Sequence, residues 1–206
     1  MAAPRVTDLT AILASQPRTD VLREYRWTAP MFYRALDAGA FGLWPKVELI
    51  RGKLMEHPGQ TPLHSSTLSR TARRFRGVFE PTLRVYARSP IGIAEDTHAD
   101  TDILVVTASW SDDEDRHPGP DETALLVEVA DLTLAYDTGE KASVYARAGI
   151  TDYWAVAAEA GAVIVHRSPM PEGYKEVKRL TGSDILSPLA MPEAVWTVNG
   201  LLGNGG

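Results

Sequence analysis

Two short, nearly continuous apolar runs constrain this chain more than any other feature: DILVV at residues 102–106 and ALLVEVA at residues 124–130. Runs of this length are typical of β-strands that are buried on both faces. A helical pattern at 137–148, ended by Gly149, follows the second run and leads into another apolar strand, DYWAVAA. The order strand, helix, strand predicts a crossover unit in a mixed β-sheet, and therefore an α/β fold.

The other patterns predict helices that flank this sheet and additional β-hairpins. One helix is expected to follow Thr28, with Pro30 in its first turn, and to stop at Gly42. A second helix is expected at 62–78, where apolar residues recur at helical spacing. The extended segments are VELIRGKLMEH, LRVYARS, AVIVHRS and GYKEVKR, of which the first reads as one hairpin and the last two as another.

The composition excludes several classes of protein. The 206 residues suit one α/β domain, expected at 26–202, between a loosely attached lead-in at 1–25 and a flexible tail at 203–206. Cysteine is absent, so disulfides, thiolate metal sites and cysteine nucleophiles are excluded. Without a long apolar run or a signal-peptide core, we expect a cytoplasmic protein with no membrane partner. The net charge of −6 argues mildly against a nucleic-acid-coating protein, but a nuclease concentrates carboxylates at its site.

Each of the two apolar runs carries a carboxylate, Asp102 in the first and Glu128 in the second. Carboxylates are rarely buried unless they are paired or bind a metal. On neighbouring strands the two would favour a cation between them, and Lys141 in the following helix could reach the same place. Mg²⁺ held by carboxylates can orient a water and stabilise charge on a phosphate. Spacing alone leaves the alternative open of a strand cap, an arginine-paired acid and a solvated lysine.

The order of several motifs adds a family resemblance. VELIRGKLMEH, His64, DTDILVV, LLVEVADLT and DTGEKASVYARAGITDYWAV follow one another within residues 47–174. The most specific part is Glu128-Val129 followed, at 137–154, by D-x-x-x-K-x-x-x-Y-x-x-A-G-I-x-D-Y-W. Together they resemble the Uma-type family of restriction-endonuclease-like proteins in the PD-(D/E)XK nuclease superfamily. The resemblance implies a restriction-endonuclease-like mixed sheet flanked by helices, and nuclease activity that depends on Mg²⁺ or Mn²⁺.

The resemblance also implies a role for individual residues. Asp102 matches the aspartate of the PD element and Glu128 the acidic residue of the (D/E)XK element, so both would ligate the metal. The lysine expected two residues after Glu128 is replaced by Ala130, and Lys141 matches the lysine that this family carries on the next helix. Glu48 matches a glutamate that approaches the metal from the other side. The expected catalytic residues are therefore Asp102, Glu128 and Lys141.

Other positions leave alternatives open or depart from the family pattern. His64 matches a histidine at the start of the following helix, where it either flanks the site or only begins the helix. Glu48 either faces the metal or is a solvated strand residue. Thr101 replaces the proline of the PD element, and the segment after Glu128 lacks the family's serine-proline turn and places an extra acid, Asp131, near the site.

The helix at 62–78 also carries a group of arginines: Arg70, Arg73, Arg74 and Arg76. They either line a groove that neutralises DNA phosphates, with salt-dependent affinity, or form an ordinary exposed face. Three aromatic residues in the motif are predicted to pack in the core rather than to stack on bases: Tyr145, Tyr153 and Trp154.

Three functions stay open at this point. The leading hypothesis is a DNA endonuclease that hydrolyses phosphodiester bonds with Mg²⁺ or Mn²⁺. The acidic charge and the altered segment at 131–133 suggest a second, a catalytically inactive nuclease fold that serves as a binding or interaction module. A third is action on another phosphate ester. A homodimer or larger homo-oligomer is also conceivable, with the hairpin at 162–179 as an interface.

Overall fold

The computed structural model describes residues 23–42, 46–111 and 115–203. The predicted lead-in, apart from residues 23–25, and the predicted tail, apart from Gly203, lie outside the described residues. Within these ranges, eight strands join one mixed sheet: β1 (Val47–Ile50), β2 (Lys53–Glu56), β3 (Arg84–Ala94), β4 (Thr97–Val106), β5 (Thr123–Ala130), β6 (Asp152–Ala157), β7 (Ala162–Met170) and β8 (Gly173–Thr181). Their order is β2-β1-β4-β5-β6-β7-β8, with β3 also paired to β4. Two short strands, β9 (Ile185–Leu186) and β10 (Trp196–Thr197), form a separate pair.

The helices are α1 (Ala29–Asp37), α2 (Pro62–Phe79), a 3₁₀ turn (Pro120–Glu122), α3 (Leu134–Tyr136), a π-helical turn (Asp137–Lys141), α4 (Ala142–Arg147) and α5 (Val198–Leu202). Helix α1 ends before the predicted Gly42 because Gly39, with φ 70°, takes the left-handed conformation that terminates a helix. The helix predicted at 137–148 begins earlier, at Leu134, since the Asp137 N–H already donates to the Thr133 carbonyl. Among the described residues, no helix is both long and apolar enough to cross a membrane.

Both faces of the central strands are buried, as their apolar runs predict. Strand β5 is buried along its whole length and runs parallel to β6, with Glu128 opposite Ala155, which confirms the crossover unit. On one face, α2 packs on the sheet through Leu68, Phe75, Phe79, Val127, Val129 and Trp154. On the other face, the α4 region packs through Leu104, Leu126, Ala142, Tyr145 and Tyr153. Each large apolar side chain buried in this way contributes roughly 1.5–3 kcal/mol, so the two clusters hold the helices firmly against the sheet.

Strand β4 has two different partners along one of its edges. Strand β3 occupies the opposite edge along the length of β4. On the shared edge, β1 pairs near the start of β4, with Leu49 opposite His98, whereas β5 pairs from Ile103 onward, opposite Val127. Residues 99–102 therefore lie in a gap between β1 and β5. Their backbone groups on this edge must be satisfied by side chains.

Candidate active site

Two glutamate side chains close the gap beside β4. The N–H of Asp100 donates to Glu48 Oε2 at 3.2 Å, and the N–H of Asp102 donates to Glu128 Oε2 at 3.3 Å. Both glutamates are buried, with 1% and 3% of their surface exposed. Carboxylates thus replace the carbonyls that a continuous neighbouring strand would offer. The split edge of the sheet is what brings Glu48, Asp102 and Glu128 together.

Lys141 supplies the positive charge at the centre of this group. It lies at the end of the π-helical turn and is 1% exposed. Its Nζ lies 3.1 Å from Glu48 Oε2 and 3.0 Å from Glu128 Oε1, and it donates to the Asp100 carbonyl at 3.2 Å. Burial opposes the charged ammonium, but the charges of Glu128, Glu48 and Asp137 outweigh it and raise the pKa of Lys141 well above its usual value. Lys141 is therefore protonated at neutral pH.

Glu128 is the carboxyl that this environment makes easiest to protonate. Its Oε1 accepts a hydrogen bond from the Tyr145 hydroxyl at 2.7 Å in addition to that from Lys141. Burial raises the pKa of Glu128 to about 8, helped by the charges of Asp102 and Asp137 and opposed by that of Lys141. The group contains more carboxylates than one lysine neutralises, so a further cation would stabilise it.

Asp102 is held in its ionised form by contacts from a strand and a helix. Its Oδ2 accepts from the Val129 N–H at 2.9 Å and lies 3.0 Å from His64 Nε2. Burial alone would raise the pKa of Asp102, but the hydrogen bond and charge of His64, with the Val129 N–H, lower it below its usual value. Since a carboxylate only accepts, Nε2 of His64 carries the proton. The other ring nitrogen, Nδ1, is buried without a partner among the described residues.

Glu48 lies inside the site, not in solvent. Its burial contradicts the alternative of a solvated strand residue, and its role as a metal ligand stays a prediction. Its Oε1 accepts from the Tyr136 hydroxyl at 3.2 Å and lies 2.9 Å from His57 Nε2. Burial would raise the pKa of Glu48, but the charge of Lys141 and the contact with His57 lower it below its usual value.

Two further acids belong to the same neighbourhood. Asp131 lines the cavity, accepts from the Thr61 hydroxyl and accepts from the Leu132 N–H at 2.6 Å. Thr61 also caps α2 by accepting from the His64 N–H at 3.1 Å, so the extra acid fixes the start of that helix. Asp137 is buried and also lines the cavity.

Several residues of the site were not predicted to be functional from the sequence. Asp137 and Tyr145 could have been found, because they stand four residues before and after Lys141 and therefore share its helix face. Tyr145, Tyr153 and Trp154 are each 0% exposed, which confirms that they pack in the core, although the Tyr145 hydroxyl also reaches the site. Other site residues gave no sequence signal of this kind: Lys46, Asp100 and Tyr136.

The cavity above these residues has a volume of about 40 Å³, larger than the space a single water needs. No group of three or more acidic or histidine side chains in the described ranges is already arranged around an ion position. Lys141 and His64 instead engage the carboxylate oxygens. The donor set itself suits a hard divalent cation, since carboxylate oxygens are the ligands that Mg²⁺ and Mn²⁺ prefer. The excess of carboxylates and the unpartnered His64 Nδ1 also fit a site that takes up a further polar group.

The arginines of α2 lie along the helix at increasing distance from the site. From His64, which contacts Asp102, a helical rise of about 1.5 Å per residue places Arg70 roughly 9 Å and Arg76 roughly 18 Å away along the axis. Arg70 donates to the Leu202 carbonyl at 3.0 Å, and Arg76 donates to the Val85 carbonyl at 3.4 Å. Arg73 is exposed and Arg74 half-buried. At least two of the four therefore have structural contacts.

Comparison with solved structures supports the same architecture. A crystal structure described as a putative nuclease belonging to DUF820, from Anabaena variabilis, is similar with a TM-score of 0.68 and 16% identity, covering 86% of this chain and 98% of that chain. The type IIG restriction endonuclease BpuSI gives a TM-score of 0.39 and 13% identity, over 68% of this chain and 15% of that chain. A similarity this low does not support a conclusion about the fold. The first likeness and the mixed sheet flanked by helices confirm the predicted restriction-endonuclease-like fold class.

Comparison with sequences assigns the family. No curated protein sequence matches the chain at a significant level. Residues 31–199 match the Uma2 family, described as "Putative restriction endonuclease". This match spans most of the chain and includes every residue of the buried carboxylate group. The chain therefore belongs to the Uma2 family.

Proposed function

We propose that this chain is a divalent-metal-dependent endonuclease that hydrolyses phosphodiester bonds of DNA. Its family membership supports a nuclease-type function. The observation that carries the proposal is the convergence of Glu48, Asp102 and Glu128, each at most 5% exposed, around one buried lysine at an acidic cavity that Asp102, Glu128 and Lys141 line. Buried acids in such excess are unfavourable unless a cation compensates them.

Glu48, Asp102 and Glu128 would hold Mg²⁺ or Mn²⁺. Such an ion, when bound, polarises a phosphoryl oxygen and lowers the pKa of a coordinated water. Holding Asp102 in its ionised form is the role of His64 and the Val129 N–H, because both contacts lower the pKa of this carboxyl. The Tyr145 hydroxyl orients Glu128 through its bond to Oε1.

Lys141 has a role that follows from its raised pKa. A protonated ammonium donates hydrogen bonds but does not accept a proton, so Lys141 is not the general base of the reaction. It stabilises negative charge on a phosphate oxygen, or positions the attacking water through a hydrogen bond. Removal of one such donor typically lowers the rate by about 10²–10³-fold.

Plasmid DNA incubated with Mg²⁺ or Mn²⁺ tests the assignment. The wild-type chain should nick or linearise the plasmid, whereas Asp102→Ala and Lys141→Ala should lose activity by at least about 100-fold. Glu159→Ala is a matched control, since Glu159 is an exposed acid that lies after β6 and outside the cavity. Equal cleavage by wild type and by both site variants would remove the assignment.

One observation favours a second candidate, a binding or interaction module without catalysis. The carboxylates are already engaged by Lys141 and His64, and the altered segment carries Asp131, which bonds to Thr61. Titration with Mn²⁺ in a calorimeter separates the two candidates. Heat of binding that disappears in Asp102→Ala favours the endonuclease, and a chain that binds neither Mn²⁺ nor DNA favours the module.

A further inference from the structure

The acidic lining of the cavity poses a problem for an anionic substrate. Its carboxylates belong to Asp100, Asp102, Glu128, Asp131 and Asp137. The two lysines that line the same cavity both have acidic partners: Lys141 contacts Glu48 and Glu128, and Lys46 lies 3.8 Å from Asp100 Oδ2. Without a bound metal, a phosphodiester that approaches this cavity therefore needs a positive charge from another side chain near the mouth.

Arg88 is placed to supply that charge. Its neighbours Ala87 and Ser89 pair with Ile103 and Thr101, so the register between β3 and β4 places Arg88 across from Asp102. Its Nη2 donates to Gln60 Oε1 at 2.5 Å, and Gln60 lines the cavity. The side chain is exposed and, within the part of the chain that the structure describes, contacts no carboxylate. Because its partner is a neutral amide, the guanidinium keeps its full charge and most of its N–H donors for a ligand.

The backbone conformation of Arg88 also supports a functional role. Its φ is 57°, in the left-handed region, although the strand pairing continues on both sides of it. This conformation costs free energy for any residue with a Cβ, whereas glycine adopts it without strain. Residues held in such conformations concentrate at functional sites. The side chain of Arg88 is thus presented from a constrained position beside Asp102.

We propose that Arg88, oriented by Gln60, binds a phosphate of the DNA backbone at the mouth of the cavity. The inference rests on the proposed function, because it names how that site takes hold of its substrate. Arginine suits this role, since its planar fork donates two parallel hydrogen bonds to phosphate oxygens. Arg70 and Arg76 of α2 are less suited because both already bond to backbone carbonyls.

The test uses Arg88→Gly, which removes the guanidinium and accommodates the positive φ. Binding to a fluorescent DNA duplex is measured by anisotropy in EDTA over a range of salt concentrations. Arg88→Gly should bind about tenfold more weakly than wild type, as expected for one lost charge-assisted hydrogen-bonded contact. Its slope of log K against log salt should be shallower by about 0.9, the contribution of one phosphate contact. Arg88→Lys, which keeps the charge but loses the fork, should lie between the two.

Arg179→Ala is the matched control, because Arg179 is an exposed strand arginine on β8 with no ion pair in the described residues. An affinity and salt slope of Arg88→Gly equal to those of wild type would overturn the proposal. The proposal is also overturned if Arg179→Ala weakens binding as much as Arg88→Gly does, since the loss of affinity then reflects net charge alone. Melting curves establish that each variant is folded.

Plasmid cleavage in Mn²⁺, run in parallel, separates this inference from the proposed function. A wild-type chain that binds the duplex through Arg88 but never cuts DNA would leave the inference standing and remove the endonuclease. A wild-type chain that cuts DNA while Arg88→Gly retains full affinity would do the opposite. A wild-type chain that does not bind the duplex overturns the role of Arg88 whether or not the plasmid is cut.

Discussion

Replacement of Lys141 by methionine should destabilise the folded chain strongly when no metal is present. Methionine has a similar length and packs well in apolar surroundings, so the change removes the charge with little loss of volume. Glu48 and Glu128, whose carboxylates now lie 3.1 Å and 3.0 Å from the ammonium, would be left buried beside each other without a counter-ion. The source of the loss is the desolvation of these carboxyls without the compensating ammonium, and Glu128, whose pKa is already about 8, is the first of them to take up a proton.

The size of the effect follows from the burial of the group. Removing one partner of a fully buried ion pair typically costs about 3–5 kcal/mol. For a domain of this length each kcal/mol lowers Tm by about 2–4 °C, so the expected decrease is on the order of 10 °C. Divalent metal should offset part of it, because a ligand at a hundredfold excess over its Kd adds about 2.7 kcal/mol to the stability of the folded state. Mn²⁺ should therefore raise the Tm of Lys141→Met more than that of wild type.

Thermal unfolding followed by circular dichroism, in EDTA and in Mn²⁺, measures both effects. Lys178→Met is the control, since this lysine is exposed on β8 and its replacement should change stability by no more than about 0.5 kcal/mol. The double variant Lys141→Met/Glu128→Gln should recover part of the loss, because it removes one of the uncompensated carboxyls. The reasoning fails if Lys141→Met in EDTA melts together with Lys178→Met. A variant that is destabilised but gains nothing from Mn²⁺ would keep the counter-ion role and count against the metal site.

Two further predictions concern neighbouring groups. The folded-state pKa of Glu128 is about 8, above its usual 4.5. At a pH between these two values, folding is therefore accompanied by uptake of a proton. The contribution of Glu128 to stability consequently declines as the pH rises from about 4.5 to 8. Urea unfolding at pH 5 and pH 8.5 should show Glu128→Gln becoming more stable relative to wild type at the higher pH, and a constant difference would contradict this. Asp152, in the D-Y-W motif, is buried and bonds to the Trp154 indole N–H at 2.8 Å and to Arg167 at 2.9 Å. Asp152→Ala should therefore lose roughly 3 kcal/mol of stability with unchanged affinity for Mn²⁺, measured by urea unfolding and calorimetry, and a weakened affinity in the folded variant would place it in the site.

The fold could be predicted from the sequence wherever a single element carries its own signal. The apolar runs at 102–106 and 124–130 are buried strands, and the helix between β5 and β6 makes their pairing parallel, as the crossover pattern indicates. Helix ends were less predictable, because they depend on local contacts. Gly39 ends α1 before Gly42 is reached. The hydrogen bond from the Asp137 N–H to the Thr133 carbonyl starts the helix predicted at 137–148 already at Leu134.

The site was harder to predict, because its geometry depends on which strands share an edge. Spacing alone places Asp102 and Glu128 on neighbouring strands, but it does not indicate that β1 and β5 both pair with the same edge of β4. That arrangement leaves the N–H groups of Asp100 and Asp102 to be satisfied by glutamates. It depends on pairing between segments about 50 residues apart in the chain, which no local pattern encodes.

Glu48 shows most clearly that a local sequence pattern does not place a residue of the site. An acid between Val47 and Leu49 in a strand is expected to face solvent only if nothing covers that face of the sheet. In this chain the segment from Tyr136 to Lys141 covers it, and both of these residues bond or pair with the Glu48 carboxylate. Glu48 is therefore buried for the same reason that Lys141 is buried, since each is the partner that makes burial of the other tolerable. The response of stability to Lys141→Met consequently tests the placement of Glu48 as well, because a solvated Glu48 would leave only Glu128 without its partner and would make the loss smaller.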